Sequence, residues 1–175
     1  VYYLLILAVG IERLVELVVS KRNATWAFAQ GGKEYGRGHY PAMVIIHAGL
    51  LIGCLVEVWA LDRPFLPWLG WTMLVIAVLT QVLRWWCITT LGKRWNTLVI
   101  VLPEAPLVNT GPYKYKWLHH PNYLVVIVEG IALPLIHTAW ITAICFTLAN
   151  AALLRVRIRV ENEALGYTRS EPKTR

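Results

Sequence analysis

The side chains best equipped to hold a polar ligand cluster in the stretch Leu107–Tyr123, LVNTGPYKYKWLHHPNY, which sits between long apolar runs. It carries Gly111, Tyr113, Tyr115 and Tyr123, the adjacent pair His119–His120, and Pro121. Gly111-Pro112 marks a turn, and a proline at 121 is suited to open a helix. His120, Pro121, Asn122 and Tyr123 then fall at that helix's start, where backbone N–H groups and the helix dipole favour a carboxylate. His120 can donate to the same anion, and tyrosine rings can face a cation. S-adenosylmethionine combines a carboxylate, a positive centre and an aromatic base. By composition alone the stretch fits a structural re-entrant turn equally well.

A second polar cluster, RIRVENEAL, spans Arg157–Leu165. If a helix beginning near Thr138 continues past Leu154, Arg157 and Glu161 are i,i+4 neighbours on one face, with Arg155 and Arg159 on another. A basic extension lying on headgroups accounts for Arg155 and Arg159. Glu161 is less expected of lipid anchoring. It can accept from ribose hydroxyls or an amino group, while Arg157 clamps an anionic acceptor in fork geometry.

The elements that must position these clusters are membrane-like. The chain has 175 residues, 57% of them hydrophobic and only 15% charged, against roughly 25% charged in soluble domains. Five apolar runs approach the ~20 residues that cross a bilayer: 2–20, 42–61, 66–87, 124–136 and 138–154. The last two abut at His137–Thr138 and read as a tight helical hairpin with Pro134 near its turn. The expected fold is therefore all-α, a polytopic membrane protein of about five spans with a cytoplasmic cofactor pocket. A soluble bundle would lack the polar sequence needed to cover five such helices.

Basic residues set the orientation. Lys21, Arg22, Lys33 and Arg37 lie in the first connector, and Arg63 alone in the second. Arg84, Lys93, Arg94, Lys114 and Lys116 lie at or beyond the end of the third span. The hairpin turn has none, and the rest follow from Arg155 onward, with Arg13 inside the first span. This alternation places the N-terminus outside and the C-terminus in the cytoplasm, with both polar clusters on the cytoplasmic side. Topology and attraction to anionic membrane lipid account for the net charge of +7 without nucleic acid. The first span is too long and too rich in ionisable residues for a cleaved signal, and a start at Val1 leaves room for native residues before it.

Inside the spans, Glu12, Arg13, Glu16, His47, Glu57, Arg84 and Glu129 are costly, at roughly 2.5–3.5 kcal/mol for a charge at a helix centre. Arg13 and Glu16 can pair locally. Glu129 lies within two turns of His120–Tyr123 and, with His119, is a candidate general base. Trp26, Trp59, Trp68, Trp71, Trp85, Trp86 and Trp95 suit the headgroup level. Cys54, Cys87 and Cys145 lack metal-ligand spacing and read as packing residues.

The loop LVNTGPYKYKWLHHPNY and the tail RIRVENEAL resemble the isoprenylcysteine carboxyl methyltransferase family, whose signature runs roughly LV-x-x-G-x-Y, RHP-x-Y and R-x-x-x-E-E. The first connector, with EYGRGHYP, is similar to a bacterial branch that methylates alkylpyrone or alkylresorcinol-like products of type III polyketide synthases. The resemblance implies S-adenosylmethionine as cofactor, a lipophilic acceptor, O-methylation, and a functional partnership with a lipid- or polyketide-producing enzyme. It implies that Leu107, Val108 and Tyr113 line the cofactor pocket. His120, Pro121, Asn122 and Tyr123 would hold the cofactor at the helix start, Glu161 would close over it, and Arg157 would face the acceptor. The chain reads as one domain, 1–175, with three N-terminal spans in 1–91 and a catalytic half in 92–175. Two positions depart from the signature: His119 stands for its arginine and Asn162 for its second glutamate. Two other classes remain open, a sterol-type reductase using NADPH and a small membrane transporter or assembly subunit.

Overall fold

The computed structural model describes residues 1–103, 105–115 and 120–165. Five α-helices dominate: α1 (Tyr2–Ala29), α2 (Tyr40–Ala60), α3 (Pro67–Leu91), α4 (Pro121–Leu135) and α5 (Trp140–Leu165). Proline opens α3 and α4 and sits in the first turn of α2, where the missing N–H costs nothing. Gln30, Gly31 and Gly32 close α1 by returning their N–H groups to its last carbonyls.

Large apolar residues face outward along the helices. On α1, Leu4, Leu7, Ile11, Leu14 and Val18 are exposed, while Ile6, Val9, Ser20 and Ala24 face inward. An apolar exposed face belongs against lipid rather than water. Three helical stretches, Arg37–Ala60, Pro67–Arg94 and Trp140–Ala164, are long and apolar enough to cross a bilayer. Of the other two expected spans, α1 has the length with 28 residues but carries Glu12, Arg13 and Glu16. The apolar α4 has 15 residues, only ~22 Å of helix. The multi-pass, all-α class stands.

A two-stranded sheet interrupts the helical plan at one end of the bundle. β1 (Lys33–Tyr35) pairs antiparallel with β2 (Val99–Val101), Glu34 opposite Ile100. Lys33–Tyr35 falls within the first connector of the sequence. Gly36 then turns the chain in the left-handed region at φ 64°.

Buried charges join the helices. Arg13 donates to Glu16 at 2.7 Å and also pairs with Glu129. Arg84 donates through Nη2 to Glu16 at 2.7 Å and through Nη1 to Glu129 at 3.3 Å. Glu12 accepts from Gln81 and from the Trp85 indole, the latter at 2.7 Å. One network thus links α1, α3 and α4. At the opposite end, Glu57 of α2 caps α5, accepting from the N–H groups of Ile141 at 3.1 Å and Thr142 at 2.7 Å. Arg63 completes that site at 2.9 Å.

The core gathers Ile6, Val9, Leu50, Cys54, Val58, Leu133, Ile136 and Phe146. Gly130 lets α4 approach α5, because a Cβ there would overlap the Phe146 ring. The expected hairpin turn occupies residues 136–139, with Thr138 at φ 54°. It is tied to the connector between α2 and α3 by His137 Nδ1 donating to the Arg63 carbonyl and Thr138 Oγ1 to that of Pro64, each at 2.8 Å.

Replacing Glu57 by alanine leaves two orphan N–H groups at the start of α5 and an unpaired Arg63. The variant should lose about 1–3 kcal/mol, read as a lowered thermal midpoint in detergent. An unchanged midpoint would remove Glu57 as the cap of α5.

Candidate functional site

The site is assembled from four segments, beginning with residues 92–98 between α3 and β2. α1 holds that segment. Ser20 Oγ donates to Asn96 Oδ1 at 2.8 Å and accepts from the Thr97 N–H at 3.0 Å, while Asn96 Nδ2 donates to the Ser20 carbonyl at 3.1 Å. Asn23 Nδ2 reaches the Trp95 carbonyl at 2.7 Å. Thus pinned, the chain leads directly into β2.

The second segment is the short 3₁₀ turn Gly111–Lys114. Gly111 has φ 54° and lies against Thr90 and Trp86 of α3, so a side chain would be strained in conformation and crowded in space. The turn directs Tyr113 inward. Burial, then the neighbouring Cys87, pushes the Tyr113 phenol well above its ordinary value, so it remains a neutral hydroxyl.

The third and fourth segments are the start of α4 and the end of α5. Tyr123 Oη donates to Glu161 and accepts from Arg157 Nε at 3.0 Å. The His120 ring stacks on Tyr123, centroids 5.1 Å apart. His120 Nδ1 lies 3.7 Å from Glu161 and its Nε2 3.1 Å from Asn162 Oδ1. Arg157, only 6% exposed, donates through Nη1 to Met43 Sδ of α2 and through Nη2 to the Thr97 carbonyl, each at 2.6 Å. Arg155 and Arg159 on the other face of α5 are exposed, as headgroup contact requires.

These segments enclose a cavity of about 220 Å³. Leu107, Val108, Tyr113, His120, Pro121, Asn122, Tyr123, Arg157 and Glu161 all line it. Residues far apart in sequence therefore share one space. A second, mostly apolar cavity of about 270 Å³ lies among α1, α2, α4 and α5. The two share Trp95, Asn96, Asn122, Tyr123 and Arg157 as a common wall.

Three expectations change. Glu129 is absent from the first cavity's lining; Arg13 and Arg84 occupy its carboxylate, because a charge in an apolar interior takes whatever countercharge is in reach. It has no place beside a ligand there. The helix start offers fewer N–H groups than expected: Pro121 has none, and those of Tyr123 and Leu124 return to the His120 carbonyl at 3.0 and 3.3 Å. The Tyr123 ring is taken by His120 and by the Arg157 guanidinium, 5.7 Å from its centroid. His119 lies outside the described residues.

Trp95 was missed as a site residue, and Asn162, noted only as a departure from the signature, pairs with His120. Trp95 is 2% exposed rather than a ring at the interface, and its indole N–H has no partner among the described residues. Asn122 Oδ1 is likewise buried and unpartnered. A donor and an acceptor left unpaired in one cavity wall ask for a polar ligand. The Gly92 break followed by Trp95-Asn96-Thr97 was the available signal.

A family model, that of the isoprenylcysteine carboxyl methyltransferase (ICMT) family, matches residues 73–167, more than half of the chain. The chain belongs to this family. By family it is a membrane methyltransferase. It is similar to the uncharacterized protein YpbQ of Bacillus subtilis (strain 168), 38% identical over 165 residues covering 94% of this chain and 96% of that one. An uncharacterized Haemophilus influenzae protein is 25% identical over 158 residues, 89% of each chain. The ICMT match begins within α3, so Ser20 and Met43, which hold the wall from α1 and α2, lie outside it.

Ser20→Ala leaves the Thr97 N–H without its acceptor and should cost about 1–3 kcal/mol. Hydrogen exchange at residues 96–98 should accelerate; unaltered protection would mean that α1 does not hold this segment.

Proposed function

We propose that the chain transfers a methyl group from S-adenosylmethionine to an oxygen of a lipophilic acceptor. One observation carries this reading: the nine residues named above line a single cavity of mixed polar and apolar character that shares a wall with an almost wholly apolar one. The chemistry of the first cavity fits the cofactor. Glu161 offers a carboxylate to ribose hydroxyls or the amino group, and Leu107, Val108 and Val99 offer an apolar face to the adenine. The unpaired Trp95 N–H and the Asn122 amide suit the polar amino-acid end.

When bound, S-adenosylmethionine supplies an electrophilic methyl on a sulfonium. The protein's own residues would orient and dry the site. Arg157 is fixed by Tyr123, Met43 and Thr97, with guanidinium hydrogens left to hold an anionic oxygen at the wall between the cavities. Alignment near ~3–3.5 Å contributes most of the rate gain in such transfers. A carboxylate or acidic enol, anionic near neutral pH, needs no base; this agrees with Glu129 being paired elsewhere. Leu14 and Val44 line the second cavity and are themselves exposed on α1 and α2, so the acceptor's tail would enter sideways from lipid. The proposed orientation puts the first cavity at the cytoplasmic face, with the N-terminus outside. Residues 1–175 would act as one unit.

S-adenosylhomocysteine should bind the purified protein in isothermal titration, and Glu161→Ala should weaken that binding roughly tenfold or more. Arg157→Lys should raise KM for the acceptor while largely sparing cofactor affinity. Folded protein that takes up no S-adenosylhomocysteine would end this reading.

A further inference from the structure

The second cavity contains a polar point that methyl transfer at its wall does not use. His47 on α2 and Asn150 on α5 both line it. His47 Nδ1 lies 2.8 Å from the Met43 carbonyl. A carbonyl only accepts, so Nδ1 carries the hydrogen, and Nε2 of the neutral ring is left as an acceptor. Asn150 is 2% exposed, and its Oδ1 is buried without a partner among the described residues. An amide oxygen enclosed this way in an apolar setting is costly unless something donates to it.

Gly53 of α2 lies against Thr142 of α5, and Met43 meets Arg157, so the antiparallel register sets His47 opposite the turn that carries Asn150. The His47 ring meets Phe146 edge-on, centroids 5.6 Å apart, and Asn150 is one turn further along the same helix. Arg157 is two turns beyond Asn150, ~10 Å along the axis. The pair therefore faces a part of the ligand other than the atom next to the cofactor.

We propose that His47 and Asn150 form a recognition point for an uncharged hydroxyl of the lipophilic acceptor, distinct from the oxygen that is methylated. It rests on the methyl-transfer reading and names its substrate class: a lipid or amphiphile bearing a free hydroxyl along its apolar body. Nε2 and Oδ1 are both acceptors with no donor among the described residues, so the matching group must donate; the Asn150 NH2 can bond the same group's oxygen, which a hydroxyl also offers. An ether or ester oxygen cannot donate, and a carboxylate would set lone pair against lone pair. An ammonium would share the cavity with the Arg13, Arg84 and Arg157 guanidiniums, with Glu16 already bound to Arg13 and Arg84.

The test uses ligands of equal chain length: 1-dodecanol, its methyl ether and dodecanoate, competed against radiolabelled dodecanol on full-length protein in nanodiscs. Comparing ratios across variants cancels partition into lipid. Wild-type protein should prefer the alcohol to the ether by about fivefold, the scale of one neutral hydrogen bond. His47→Phe, which keeps a ring against Phe146, and Asn150→Leu should each bring the ratio toward one. His47→Gln, which keeps an acceptor, should preserve part of it. S-adenosylhomocysteine affinity should be unchanged in all three. No preference in wild type, or a preference that survives both His47→Phe and Asn150→Leu, overturns the proposal. Absence of S-adenosylhomocysteine binding would instead sink the methyl-transfer reading, while the alcohol-to-ether ratio would still decide this one.

Discussion

Charge burial between α1, α3 and α4 governs this molecule. Two guanidiniums, Arg13 and Arg84, are shared between Glu16 and Glu129 in an interior that offers little water. Inside a bilayer such groups are expensive alone and tolerable only together. Their pairing fixes the position of α1, which otherwise presents apolar residues to its surroundings. From that fixed helix, Ser20 and Asn23 grip the segment that becomes β2. The first cavity thus inherits its shape from ion pairs that do not touch it.

The wall between the two cavities is built on a different principle. Arg157 projects from α5 and is held by a phenol from α4, a thioether from α2 and a carbonyl preceding β2. Three separate elements fix one side chain, so little conformational freedom remains for it to lose. Tyr123 in turn links Arg157 to Glu161 across the first cavity. A chamber of mixed character and an apolar one therefore meet at a rigid, positively charged partition.

The length of the apolar runs and proline placement made the helices legible, and the spacing of Arg157 and Glu161 correctly placed both on the inward face of a continuous helix. The cavity-lining residues came from motif resemblance, and their convergence needed the fold. Three features were hidden for physical reasons. β1 and β2 are three residues each, too short for alternation to register, and exist because their partner strand is sixty-odd residues away in sequence. The fate of Glu129 depended on side chains from two other helices, which no local pattern reveals. Trp95 read as an interface ring because indole occupies headgroups and cavities alike; only its burial separates the two.

The cap that Glu57 supplies to α5 reaches further than the turn it stabilises. From Trp140 to Glu161 the helix runs ~32 Å, and each residue turns it by ~100°. Clamping two N–H groups at its first turn sets the angular phase of every later position. A slip of a single residue at that far membrane face would swing Glu161 out of the cavity and carry a neighbouring side chain inward. The pocket's acidic group is aimed from across the bilayer, by a carboxylate that no ligand in the pocket could touch.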